Sequence, residues 1–505
     1  MNEIANLLEG FGSVLTPVNL LYVVLGCVIG TAVGVLPGLG SAMAVALLLP
    51  VTFTLDPLAA LVMMAAIYFG GLFGDSISGI LMNTPGNSTA IATSIEGHRM
   101  ALNGRAPQAL AAAAVGAFFG GLIATVLVVF FAPHLANLAT RFGPGEYFAL
   151  AVFAFVAISV VVSDSVLKGV AALLIGLALS VIGTDQVSGA QRFTFGSVEL
   201  FDGVSVVVIT VSMLAIGEVL YVASRIGRPD DRTLIAPQGR PYLTRSEFRE
   251  MVPAMARGTA LGVPFGVIPA GGAEVPTFLA YGAEQRLDRR SRKPKFGTGA
   301  IRGVAAPEAA GNATAGTAMG ALLALGLPTS ATAAMLLAAF QQYGMQPGPL
   351  LFSRNGDLVW ALMASLFIGM VVLLILNMPF ARLWANLLKI PREYLYAGIA
   401  VFACFGVYAA AASIVDVVFM LVLGAIGFAM RRYDVPIAPV LIAVILGPLA
   451  ETSLRAAMNN SDNDPLTLVS TPITITLYVL LAGVVAIGVF NKLKLRRSVR
   501  ADAPE

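Results

Sequence analysis

Residues 26–40, GCVIGTAVGVLPGLG, return 232 positions later as residues 258–272, GTALGVPFGVIPAGG. Gly26, Gly30, Gly34, Pro37 and Gly40 stand in register with Gly258, Gly262, Gly266, Pro269 and Gly272. A spacing of four places the first three glycines of each copy on one helical face, where a neighbouring backbone can approach closely. The LPGLG and IPAGG that follow interrupt the helix, because proline removes a donor and glycine admits positive φ. A duplicated apolar helix with a break at its end points to an all-α polytopic membrane protein built from two repeats with interrupted or re-entrant helices.

The rest of the 505 residues agrees with that reading. The chain is 57% hydrophobic and only 12% charged, against roughly 25% charged in soluble domains. Apolar runs long enough to span hydrocarbon cover residues 20–36, 58–82, 109–132, 359–376 and 473–489. Counting weaker runs, we expect about 11–12 membrane segments.

Lys and Arg gather in residues 225–249, in 286–295 with Arg302, and in the tail at Lys492, Lys494, Arg496, Arg497 and Arg500. The positive-inside rule makes these cytoplasmic. The expected organisation is a first membrane repeat at 1–224, a basic cytoplasmic linker at 225–250, a second membrane repeat at 251–491 and a cytoplasmic tail at 492–505. The first stretch of the chain carries only Glu3 and Glu9 as charges, which fits an outside N-terminus and an inverted pair of repeats; a parallel pair is the alternative. Basic segments on both sides of 258–285 make that stretch a candidate re-entrant hairpin with its tip at 268–272.

The same inventory excludes several functions. A net charge of +3 with no basic face argues against nucleic acid. Two isolated histidines, His98 and His134, leave no material for a zinc centre or a catalytic triad. Cys27 and Cys404 show no disulfide or metal pattern, and no Walker A sequence occurs. No nucleophile and base arrangement supports an enzyme, although Asp75 and Glu308 are the carboxylates from which a hydrolase would have to be built.

Chemistry is expected at the breaks. Carbonyls freed beside Gly38, Gly40, Gly271 and Gly272, with the Ser41 hydroxyl, are hard oxygen donors suited to a cation, unless the breaks are plain kinks. A second matched pair, residues 83–90 (NTPGNSTA) and 326–333 (GLPTSATA), sets Pro85 against Pro328 and Thr89 against Thr332. Each is followed by a helix-capable segment whose N-terminal N–H groups favour a carboxylate. Asn83, Asn87, Ser88, Thr89, Thr329, Ser330 and Thr332 add side-chain donors, and ordinary N-capping is the plainer reading of each one taken singly. Carboxylates near apolar runs mark ion or proton pathways: Glu308 with Asn312 first, then Asp75, then Glu274.

Six motifs together resemble the large membrane subunit of the tripartite tricarboxylate transporters, the TctA family. They are GVLPGLG (34–40), YFGGLFGDSISGILMNTPGNSTA (68–90), GHRMALNGRAPQAL (97–110), GVAAPEAAGNATAG (303–316), LGLPTSATAAML (325–336) and GMQPGPLLF (344–352). The resemblance implies a bacterial inner-membrane permease that takes up di- or tricarboxylates by cation-coupled secondary transport. Its coupling ion would be Na+ or H+, and its partners a small TctB-like membrane subunit and a periplasmic TctC-like solute-binding protein. It assigns substrate binding to Asn83, Pro85, Gly86, Asn87, Ser88, Thr89, Thr329, Ser330 and Thr332. Ion binding falls to Gly38, Gly40, Gly271, Gly272, Glu308 and Asn312. The chain departs from the pattern at IPAGG, at Glu274 and at LPTS, the first two of which bear on ion choice. A passive anion channel is the competing function.

Overall fold

The computed structural model describes residues 3–501 except 162–164, 186, 226–233, 238, 240–241, 269–271 and 290–294. Among the described residues the strands are a single two-residue pair, Gly183–Thr184 with Gln191–Arg192; helices dominate the remainder. Seven helical stretches among the described residues are long and apolar enough to cross a membrane: Pro17–Val35, Pro57–Met82, Ser88–Ala139, Val206–Ala223, Gly356–Asn377, Ile414–Arg432 and Ala438–Asn460. Shorter apolar helices at Ser41–Thr52, Pro144–Val160, Val166–Ser180, Glu393–Ala409 and Pro472–Ala486 accompany them. The protein is all-α and polytopic.

The chain forms two compact units, and neither is a sequential half. Unit 1 comprises residues 1–139, 222–268 and 272–410; unit 2 comprises 140–221, 269–271 and 411–505. Unit 1 contains α1 (Glu3–Val14), α2 (Pro17–Val35), α3 (Ser41–Thr52), α4 (Pro57–Met82), α5 (Ile91–Met100) and α6 (Ala106–Ala139) from the first half of the chain. From the second half it takes α7 (Arg245–Val267), α8 (Glu274–Arg289), α9 (Arg302–Leu325), α10 (Ala331–Gln342) and α11 (Gly356–Asn377), followed by Ala381–Leu387 and most of Arg392–Ala411.

Two helices lie at the heart of unit 1, one from each half. The apolar stretch of α4 is 89% buried, and in α9 every residue from Gly303 to Ala324 is buried. The duplicated glycines explain how the other helices reach them. A Cβ added at Gly26, Gly30 or Gly34 of α2 would lie 2.5, 2.5 or 2.2 Å from the carbonyl oxygens of Met63, Ile67 and Gly71 in α4. At Gly258, Gly262 or Gly266 of α7 it would lie 2.2, 2.2 or 2.3 Å from those of Ala306, Ala310 and Thr314 in α9. Each carbonyl in α9 stands 243 positions after its counterpart in α4, so the helix pairs α2–α4 and α7–α9 are the same packing unit made twice. Backbones approach this closely only where no side chain intervenes.

The repeats also exchange partners. The long helix α6 of the first half packs along α9, with Gly116 and Gly120 against Ala305 and Ala309, while α11 of the second half packs on α4. Hydropathy alone misses α9, whose Gly, Ala and Thr content suits a helix surrounded by protein rather than by lipid.

Unit 2 holds helices Pro144–Val161, Val166–Ser180, most of Val206–Ala223, Ile414–Arg432, Ala438–Asn460 and Pro472–Ala501. Its strand pair is anchored by charge. Arg192 sits 2.6 Å from Asp185 and 2.9 Å from Glu451, and Arg455 sits 2.9 Å from Asp185. Hydrogen bonds from the Ser188 hydroxyl and the Val187 N–H, reinforced by both arginines, hold the Asp185 carboxyl well below the usual carboxylate range.

The glycine stripe yields a direct expectation. Gly262→Ala forces a methyl against the Ala310 carbonyl and should cost about 1–3 kcal/mol, enough to lower the melting temperature of the detergent-solubilised protein by several degrees. In α8, Gly282 has open space around it, so Gly282→Ala should be neutral or gain up to about 1 kcal/mol. Equal melting temperatures for the two variants would refute the close-approach account.

Candidate functional site

Within unit 1 each central helix ends in a left-handed residue. Asn83 closes α4 with φ 51° and Gly326 closes α9 with φ 71°, again 243 positions apart. Beyond each the chain turns through a proline and restarts at an N-cap. Asn87 caps a short 3-10 turn, Ser88–Ala90, leading into α5, and Ser330 caps α10. Asn87 and Ser330 are also 243 positions apart, so the two Ser/Thr-rich breaks share their turn, their proline and their cap. The residues legible as N-caps do act as caps: the Asn87 side chain accepts from the Ser88 N–H at 2.8 Å and Ser330 from the Ala333 N–H at 3.2 Å.

The glycine-rich breaks follow the same logic. α2 ends at Val35, the chain turns through Gly38 at φ 88°, and α3 begins at Ser41. In the second copy α7 ends at Val267 and α8 begins at Glu274, with Gly272 at φ 80°. Gly271, expected to bind an ion, lies outside the described residues, as do Pro269 and Ala270; Ile268 and Gly272 flank them.

These four breaks meet, and they meet crosswise. Ser41 from the first glycine-rich break is 3.0 Å, hydroxyl to hydroxyl, from Thr332 in the second Ser/Thr-rich break. The Ser88 hydroxyl of the first Ser/Thr-rich break donates to Glu274 Oε1 at 2.8 Å, beside the second glycine-rich break. Neighbouring breaks of the same half touch as well: a Cβ on Gly40 would lie 3.7 Å from the Asn87 amide, and one on Gly272 3.6 Å from Ser330 Cβ. Tyr68, midway along α4, reaches the Ser330 side chain. Gly86 is wedged so tightly that an added Cβ would lie 2.3 Å from the Gly34 carbonyl oxygen, and its N–H donates to the Asp75 carbonyl at 3.2 Å.

Beneath the first Ser/Thr-rich break lies a carboxylate pair. The Thr89 hydroxyl donates to Asp75 Oδ2 at 2.7 Å, and the Thr93 hydroxyl donates to Glu308 Oε1 at 2.6 Å. Ser76 stands between the two acids, hydrogen-bonded to Glu308 Oε1 and 3.3 Å from Asp75 Oδ1. Asp75 is 3% exposed and Glu308 5%, so both carboxyl groups are buried. On the next turn of α9, Asn312 spends its amide N–H on the Glu308 carbonyl at 3.1 Å, which leaves its Oδ1 buried without a partner. The Thr329 hydroxyl and Glu274 Oε2 are likewise buried and unpartnered.

The expected residues therefore fall into groups. Ser41, Thr332, Gly40, Asn87, Ser88, Gly272 and Ser330 line the crossing of the breaks, and Glu308 belongs to the carboxylate pair, with Gly86, Thr89 and Asn312 beside it. Asn83 is exposed and shapes the turn; Gly38 is exposed too. Pro85 packs near Gly79. Two participants escaped the sequence reading: Ser76, which sits beside Asp75 in GDSISG, and Thr93, one helical turn beyond Thr89. Both were findable from spacing, since a hydroxyl next to an acid or four residues from a site hydroxyl shares its surroundings. Neither histidine joins the site: His98 Nδ1 pairs with the Ile80 carbonyl and His134 Nδ1 with that of Phe130.

Comparison with known proteins accords with this architecture. The model of the "Tripartite tricarboxylate transporter TctA family" matches residues 20–442. An Agrobacterium vitis protein described as an uncharacterized 52.8 kDa protein in the TAR-I ttuC' 3' region is 39% identical over 498 residues, covering 98% of each chain. A second A. vitis protein, from the TAR-II ttuC' 3' region, is 38% identical over 216 residues, covering 43% of this chain and 88% of its own length. No solved structure matches. Family members are the large subunits of multi-component transporters, and that role implies partner subunits. The chain belongs to the TctA family and is a multi-pass membrane component of a tricarboxylate transporter rather than an enzyme.

Proposed function

We propose that the protein is the large permease subunit of a binding-protein-dependent system that takes up di- or tricarboxylates across the bacterial inner membrane, coupled to a cation. A periplasmic TctC-like protein delivers the substrate, and a small TctB-like membrane subunit completes the assembly. The observation that carries this reading is the crosswise meeting of the four breaks through Ser41 with Thr332 and Ser88 with Glu274. Helices α3, α5, α8 and α10 all start there, so their N-terminal N–H groups and the hydroxyls of Ser88, Thr89, Thr329, Ser330 and Thr332 supply donors for a carboxylate. The buried, unpartnered Thr329 hydroxyl is a donor held ready for a ligand.

Cation coupling follows from charge. Asp75, Glu308 and the Oε2 atom of Glu274 are buried close to the breaks that would receive a ligand of two or three negative charges, and any of these carboxyls that is ionised would repel it strongly. A cation bound with the substrate offsets both the repulsion and the desolvation. In this reading the loaded site is exposed first to one face of the membrane and then to the other.

Two measurements test this. In proteoliposomes containing the partner subunits, a Ser88→Ala, Thr332→Ala double variant should lose at least about tenfold of radiolabelled carboxylate uptake, since each lost hydrogen bond to a charged ligand is worth about 1.5–3 kcal/mol. Normal uptake at normal expression would remove these breaks from consideration. The second separates a transporter from a passive anion channel. Imposing an inward sodium or proton gradient should drive accumulation of the carboxylate above its outside concentration, whereas a channel would only equilibrate it.

A further inference from the structure

The crosswise contacts recur at a second level, away from the breaks. α3 packs on α10 and α5 on α8, so each pair takes one helix from either half of the chain. At the breaks the pairs are tied by hydroxyls, Ser41 with Thr332 and Ser88 with Glu274. These ties are near counterparts, since Ser41 and Glu274 follow Gly40 and Gly272, and Thr332 corresponds to Thr89, the neighbour of Ser88. About two to three turns further on, each pair is tied again by a tyrosine. The Tyr281 hydroxyl of α8 donates to Glu96 Oε1 of α5 at 3.1 Å, and the Tyr343 hydroxyl, just past α10, donates to the Thr52 carbonyl at the end of α3 at 2.5 Å.

The two outer ties are unequal. Glu96 is fully buried; its Oε1 also accepts the Gly297 N–H at 2.8 Å, and its Oε2 accepts those of Gly299 and Ala300 at 2.8 and 2.9 Å. It therefore fastens α5 both to α8 and to the turn that starts α9. Arg257 of α7 braces α8 through Glu284 at 2.6 Å, and Arg302 of α9 braces it through Asp288. Among the described residues the far end of α3–α10 is closed by one hydrogen bond between neutral groups. Four bonds to a buried carboxyl hold one closure and a single bond holds the other, so the second parts at the lower cost.

The basic residues set the direction. Arg99, Arg257 and Arg302 stand around the α5–α8 closure, and the positive-inside rule makes that end cytoplasmic. α4 runs 26 residues from beside Thr52 to the break that leads into α5, so Thr52 and Tyr343 lie at the opposite, periplasmic end.

Resting on the uptake reading above, we propose that Tyr343 and Glu96 are positioning residues that close the crossing of the breaks from its two sides. The Tyr343–Thr52 closure parts to admit a carboxylate from the periplasm, while Glu96 holds the cytoplasmic side shut. Each residue acts through its helix pair: Tyr343 keeps Thr332 against Ser41, and Glu96 keeps Ser88 against Glu274. Parting α3 from α10 separates Ser41 from Thr332, so opening releases two hydroxyls for the ligand.

The test reads access rather than transport. Thr329 lies at the break before α10 with a buried, unpartnered hydroxyl, so Thr329→Cys adds a reporter without breaking a described hydrogen bond. Its labelling by a membrane-impermeant thiol reagent is compared in intact cells and in inside-out vesicles, over that of the parent chain with Cys27 and Cys404 alone. Tyr343→Phe removes one hydroxyl and keeps the ring. It should raise the labelling rate from the periplasmic face about two- to tenfold, the range set by loss of one neutral hydrogen bond, and leave the cytoplasmic rate unchanged. Glu96→Gln should do the reverse, because its amide sets N–H groups against N–H donors. Tyr281→Phe takes away one of the four donors and should give a smaller rise from the cytoplasmic face.

Equal rises from both faces in Tyr343→Phe overturn the proposal, since general loosening has no side. So does the absence of any rise, or one confined to the cytoplasmic face. Should Glu96→Gln not fold, Tyr281→Phe carries the cytoplasmic arm, and a periplasmic rise or no rise in it counts against Glu96. Uptake is measured separately, in chains without the reporter. Side-specific rises in a protein that takes up no carboxylate support the closures and sink the uptake reading, whereas coupled uptake with unchanged labelling does the opposite.

Discussion

A peptide group released from a helix inside a membrane has no water to turn to, and this constraint organises unit 1. Four times the chain leaves helical geometry at a glycine, an asparagine or a proline, and each time the freed groups must be met by protein or ligand. Gathering the breaks in one place is the economical solution, because each becomes the others' polar environment. Ser41 with Thr332, Ser88 with Glu274 and Gly40 beside Asn87 are the visible results. The glycine stripes on α2 and α7 serve the same end, since side chains larger than hydrogen there would push the breaks away from α4 and α9.

The duplication is informative because the copies agree in backbone and differ in side chain. Both Ser/Thr-rich breaks have a left-handed residue, a proline and an N-cap at matching positions. Their chemistry is not matched. The position in α9 that corresponds to Asp75 is Ala318, and the position in α4 that corresponds to Glu308 is Ala65. Each half thus contributes one acid to the pair at a place where the other half carries alanine. A symmetric scaffold holds an asymmetric charge, so exchange of the halves would not reproduce the site.

How far the sequence disclosed this depends on the kind of signal. Membrane class, break positions and candidate polar residues were legible because proline, glycine and hydroxyl residues act locally. The crossing was not, since nothing in NTPGNSTA records that Ser88 meets Glu274 rather than Ser41. The division into compact units was equally hidden. Each half gives its beginning to unit 1 and its end to unit 2, and hydropathy reads an apolar helix the same way in either. α9 escaped hydropathy for the opposite reason: buried on all sides by protein, it had no need of large apolar residues. Ser76 and Thr93 were overlooked because a lone hydroxyl in an apolar helix ordinarily bonds its own backbone, as Thr125 and Ser159 do.

Thr125 and Ser159 also show why the hydroxyls near Asp75 and Glu308 stand out. In an apolar helix the carbonyl one turn back is always within reach, so a hydroxyl proton has a ready acceptor at no cost in ordering. Ser76, Thr89 and Thr93 direct theirs to carboxylates on the same or another helix, and they do so together. Three such choices in one small volume depart from that default, each hydroxyl serving a buried carboxyl rather than its own helix. On the coupled uptake proposed above, a pair neutralised by a proton or a bound cation would no longer oppose a carboxylate at the donors of the four breaks.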